Sequence, residues 1–123
     1  MPVNFWEIHS HTVLLHQDGK GEEHAQRKLT LTNAAASIEA EILFPGGGLG
    51  LGALTLLGPP SKLEERLQTN WPVTRFAETL GLLECGKPVF LGYSWAPPDD
   101  EPDATYGWLL QIAVTTADRP WWE

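Results

Sequence analysis

Hydrophobic and polar residues alternate along much of this chain, the pattern of strands with one buried and one wet face. Residues 3 to 16, VNFWEIHSHTVLLH, read as one strand. Phe5, Val13 and Leu15 would share a face with Glu7, His9 and His11. Trp6, Ile8 and Leu14 would share the other with Ser10 and Thr12. The polar stretch QDGKGEEH fits a hairpin loop, and RKLTLTN alternates again as the returning strand. In NAAASIEAEILF, Ile38, Ala40, Ile42 and Phe44 alternate with Glu39 and Glu41. Alanine and glutamate suit a helix capped by Asn33, but the alternation favours a strand. GALTLL at 52 to 57 reads as a further short strand.

The middle of the chain predicts helices. Ser61 and Glu64 have capping-box spacing after two prolines, with Leu63 and Leu67 one turn apart. A second helix should begin near Pro72 or Thr74, bury Val73, Phe76, Ala77, Leu80 and Leu83, and stop at Gly86. Beyond it, VFLGYSW and YGWLLQIAVTT predict an antiparallel hairpin across the loop APPDDEPDA. Tyr106, Trp108, Leu110, Ile112 and Val114 should fill its buried face. The expected fold is α+β: an antiparallel sheet of about five strands, with two helices (about 62–70 and 73–85) packed on one face. No repeat or internal boundary interrupts residues 1–123, so one domain is expected.

Charge narrows the function classes. Sixteen acidic residues against eight basic ones give a formal net charge of −8. Nucleic-acid binding depends on Lys and Arg neutralising phosphates, and here the nearest approach to a basic run is Arg27-Lys28. The N-terminus lacks a basic, then apolar, leader pattern, and the longest apolar run is glycine-rich and short of a bilayer span. With a single cysteine, Cys85, the default is a soluble cytoplasmic protein without membrane or nucleic-acid partners.

Catalytic signals are weak. On a strand, residues two apart sit roughly 6.5–7 Å apart on one face, so the side chains of an H-x-H pair can converge on one metal ion. Glu7, His9 and His11 are therefore the metal candidates, but local geometry supplies no convergent third or fourth ligand. The wet face of an ordinary strand is the preferred reading. Gly48, Gly50 and Ala53 mimic a dinucleotide fingerprint, yet a strand-like segment follows where a helix is required, so no cofactor is expected. Cys85 lies at a helix C-terminus beside Glu84, which disfavours a thiolate and suggests a buried structural thiol.

Two features carry more weight. PPDDEPD packs Asp99, Asp100, Glu101 and Asp103 between prolines that stiffen the backbone. Six tryptophans occur in the chain; Trp95 flanks this loop, and Trp121 and Trp122 stand beside the C-terminus. Tryptophan is enriched where proteins grip one another. The leading expectation is a small acidic binding protein that occupies a partner's surface, as an immunity or inhibitor protein does against a basic enzyme. Asp99, Asp100, Glu101, Asp103, Trp95, Trp121 and Trp122 would form its contact set. The alternatives are a small metal-dependent enzyme or sensor using His9 and His11, and a ligand-binding domain with a Trp-lined pocket.

Overall fold

The computed structural model describes residues 3–16, 26–33, 38–44, 52–57 and 64–117. Among them are eight strands: β1 (Val3–Glu7), β2 (Ser10–His16), β3 (Gln26–Asn33), β4 (Ile38–Phe44), β5 (Ala53–Leu57), β6 (Glu64–Asn70), β7 (Phe90–Ala96) and β8 (Tyr106–Thr115). One α-helix, α1 (Phe76–Leu83), is entered through a 3-10 turn at Val73–Arg75. The strands form a single sheet in the order β1-β7-β8-β5-β6-β4-β3-β2, curled into a half-barrel. All neighbours pair antiparallel except β4 and β6, which run parallel. The expectation of about five strands and two helices is overturned: the fold is mostly sheet, and among the described residues only one α-helix lies on it.

The helix expected over 62–70 is strand β6. Leu67 and Thr69 are buried while Gln68 between them is exposed, a period of two. Apolar residues four apart, as Leu63 and Leu67 are, satisfy both a strand and a helix, so that spacing could not discriminate. Ser61 lies outside the described residues, and Glu64 opens β6 rather than closing a cap. The second helix exists but is shorter than 73–85. The backbone N–H of Glu84 bonds the carbonyl of Leu80, and Gly86 follows with φ at 81°, the left-handed value that ends helices. Residues 38–44 form a strand, with Ile38, Ala40, Ile42 and Phe44 all buried on its inner face.

The expected single strand over 3–16 is broken in the middle. Asn4 and Trp6 pair with Tyr93 and Leu91 on the inner face, whereas His11 pairs with inward Leu31. The phase therefore shifts at Ile8–His9. Here the Ile8 N–H reaches Val89 O at 2.8 Å, and the next residue's N–H reaches Thr32 O at 2.9 Å. Two successive residues thus bond near opposite ends of the strand order, which requires the sheet to curl so that those ends approach each other here. The Asn33 side-chain amide adds a stitch, donating to Glu7 O at 2.7 Å.

The core fills the concave side. Leu29, Leu31, Ile42, Phe44, Leu54, Leu67, Leu91 and Tyr93 are buried there. Helix α1 closes one end through Phe76, whose ring meets Phe44 edge-on at 5.2 Å, and Trp71 meets Phe44 at 6.3 Å from another side. One eight-residue helix cannot cover the whole concave face. Val13 and Leu15, on the inward side of terminal strand β2, stay exposed.

Candidate functional site

Strands β7 and β8 form the expected hairpin, but its apolar face is split. Ser94 pairs with Gln111 and Trp95 with Leu109, leaving Leu110 as an extra residue in β8. Such a bulge flips the side-chain alternation on either side of it. Ile112 and Val114 pack against the core, as does Leu109 before the bulge. Tyr106, Trp108 and Leu110 instead point outward and are 42%, 58% and 41% exposed. The expectation that these five residues share one buried face fails for that reason.

The connection into β8 is built from turns. Glu101 N–H reaches Pro98 O and Ala104 N–H reaches Glu101 O, each at 3.0 Å, and Leu56 N–H holds Thr105 O at 2.7 Å. The turns present Asp99, Asp100, Glu101 and Asp103 to solvent. Tyr106 ties this acidic turn to the aromatic stripe, because its hydroxyl donates to the Glu101 carboxylate. That hydrogen bond, with lesser help from desolvation and the carboxylate charge, raises the Tyr106 pKa above the ordinary phenol value.

Trp108 stands opposite Ala53 and Tyr106 opposite Thr55 on β5. Opposed residues share a face, so the aromatic stripe borders a floor of small side chains. Beyond that floor Glu39, Glu41, Arg66 and Gln68 line a shallow concavity of about 340 Å³. Its charges are already paired: Arg66 contacts Glu39 at 3.2 Å and Glu64 at 2.8 Å, and Lys28 lies 3.8 Å from Glu41. The unpaired negative potential therefore comes from the turn, not from the concavity.

The other expected site residues lie apart. Trp95 is half-buried and packs against the core. Trp121 and Trp122 fall outside the described residues. Glu7, His9 and His11 border one shallow cleft beside Gly86–Val89, but Glu7 faces outward opposite Phe90 whereas His11 is on the inner side, so the three metal candidates do not share one face. Among the described residues no group of three or more His, Cys, Asp or Glu side chains is placed to hold a metal ion. Cys85 is exposed rather than buried, because α1 ends just before it. Most of the glycine-rich stretch lies outside the described residues. No helix among those described is long and apolar enough to cross a membrane.

A polar cluster inside the half-barrel was not legible from sequence. Trp6 Nε1 donates to the Tyr93 hydroxyl at 2.9 Å, Tyr93 donates to Glu65, and Asn4 Nδ2 reaches the other Glu65 oxygen at 3.4 Å. Its members come from β1, β6 and β7, and only the curl of the sheet brings them together. Both carboxylate oxygens are engaged, so the cluster reads as structural. Burial, and then the bond to Glu65, raise the Tyr93 pKa well above its ordinary value. An unfolded tyrosine ionises near about pH 10. The folded chain keeps its proton there, so this contribution to stability is complete below that pH and fades above it. Tyr93→Phe should cost about 1–3 kcal/mol near neutrality by stranding its partners. Urea unfolding at several pH values should show the gap between the two proteins narrowing as pH climbs past about 10. A gap that widens there would contradict the assignment.

No family model matches the sequence, and neither a curated protein nor a solved structure matches it.

Proposed function

We propose that this chain is a non-catalytic binding domain that occupies a basic surface of a partner protein. The acidic turn would steer the partner, and the outward stripe of β8 would bury against it. One observation carries the reading: an exposed Trp108, Tyr106 and Leu110 adjoin four solvent-facing carboxylates, with Tyr106 bonded to Glu101. Exposed aromatic anchors beside unpaired like charges are what a fast-associating protein interface uses. An inhibitor or immunity role against a basic enzyme is one form this would take. A small polar ligand in the neighbouring concavity is the second reading, favoured by a volume of about 340 Å³.

The test places a photo-crosslinking amino acid at Trp108, with a control at exposed Glu78 on α1, and irradiates lysate of the native host. A basic protein captured at 108 and not at 78 is the expected result. Binding kinetics with that protein then decide the mechanism. Replacing Asp99, Asp100, Glu101 and Asp103 by Asn or Gln should slow association about tenfold or more at low salt, with little effect near 1 M. Trp108→Ala should chiefly raise the dissociation rate. Equal capture at both positions, or association insensitive to the acid-to-amide changes, would sink the proposal. A copurifying small molecule lost in Arg66→Ala would instead support the second reading.

A further inference from the structure

The break between β1 and β2 and the connection from α1 to β7 face each other across a cleft of about 450 Å³. Ile8, His9, Ser10 and His11 line one wall. Gly86, Lys87, Pro88 and Val89 line the other, with Leu83 at the end of α1. Two backbone N–H groups there are spent: Ile8 holds Val89 O, and His9 holds Thr32 O. The Ser10 hydroxyl is bonded to that of Thr32. The rings of His9 and His11 and the Lys87 ammonium have no hydrogen-bond or ion-pair partner among the described residues.

Lys87 differs from the other cations of the fold. Arg27 and Arg75 lie over the Phe76 and Trp71 rings at 5.5 and 5.7 Å, and Lys28 and Arg66 are paired with carboxylates. Among the described Lys and Arg residues, Lys87 alone has neither ring nor counter-charge, in a chain of net charge −8. Across the cleft from it stand two imidazoles, each offering a ring N–H and able to take a second proton beside an anion. The one carboxylate in the lining, Glu7, faces outward opposite Phe90. The remaining wall is apolar, and the volume is that of a small-molecule site.

We infer that this cleft binds a small organic anion, with its phosphate or carboxylate group held by Lys87, His9 and His11 and its apolar part against Leu83 and Pro88. The ammonium supplies a point charge, and the rings supply charge-assisted hydrogen bonds once protonated. Lys87 repels a cation placed between the walls, so the same histidines make a poor metal pair. The cleft shares no lining residue with the outer stripe of β8 and does not depend on the function proposed for that stripe.

NMR of the full chain tests this, with inorganic sulfate, phenyl phosphate and benzoate as probes and chloride holding the ionic strength constant. The His9 and His11 ring signals should move together and saturate at millimolar probe. Those of His16, at the far end of β2, should stay still. Lys87→Gln should weaken binding about tenfold, and Glu7→Gln should strengthen it about twofold, since one removes an attracting charge and the other a repelling one. Both positions are exposed, so melting should match the parent. Tighter binding of phenyl phosphate assigns a phosphate-bearing ligand, and tighter benzoate a carboxylate. Shifts that never saturate, equal movement of His16, affinities indifferent to Lys87→Gln, or stoichiometric zinc held by His9 and His11 would each overturn the inference.

Discussion

Phe44→Ala should destabilise the fold by about 3–5 kcal/mol, measured by urea unfolding at neutral pH. Phe44 is fully buried at the end of β4, and its ring meets Trp71 at 6.3 Å and Phe76 at 5.2 Å, both edge-on. Truncation removes the transfer energy of a large side chain and leaves a cavity at the junction of sheet and helix. The aromatic edge contacts add about 0.5–1.5 kcal/mol each beyond their area. Because Phe44 is the ring on which α1 is seated, the variant should also lose helix signal before the sheet melts. Trp108→Ala is the control: it removes a larger ring from solvent-facing β8 and should change stability by less than about 1 kcal/mol. Equal losses in the two variants would mean that α1 does not close the core through Phe44.

Gly107→Ala should be as damaging, for a steric reason. A Cβ at position 107 would lie 2.2 Å from the carbonyl oxygen of Ala96, 2.8 Å from its carbonyl carbon and 2.6 Å from Trp95 Cε3. The nearest obstacle is backbone of the paired strand, so no rotamer change relieves it. Strands β7 and β8 must part beside the bulge, and β5, which pairs with Gly107 through Leu54, must follow. A loss of about 4 kcal/mol or more, or failure to fold, is the expected outcome. Trp95→Ala in the same chain clears only the side-chain contact and should not restore stability. Recovery in that double variant would move the cause from backbone crowding to the Trp95 ring. Leu110→Ala, at the outward bulge position, should stay within about 1 kcal/mol of the parent.

Alternation alone determined the strands whose two faces differ clearly. Ile38, Ala40, Ile42 and Phe44 are read correctly from sequence because each meets core while Glu39 and Glu41 meet solvent. The returning strand at 26–33, the short strand at 53–57 and the terminal hairpin follow from the same period of two. Strand β6 was not legible, because Leu63 and Leu67 fit either period and the capping-box spacing tipped the balance toward helix. Whether such a segment becomes strand depends on partners far along the chain. Here β4 supplies a parallel ladder on one side and β5 an antiparallel one on the other. Composition likewise determined the acidic turn, since four carboxylates among prolines can only be solvated. Which aromatics stand beside that turn was a tertiary decision. The extra residue at Leu110 reverses the pleat between two apolar halves of β8, sending Trp108 outward and Ile112 inward, and apolar residues look alike in sequence on either side of it. The break at Ile8–His9 is of the same kind. Each backbone N–H there answers to a different end of the strand order, so the phase of one strand is set by a closure that no local pattern contains.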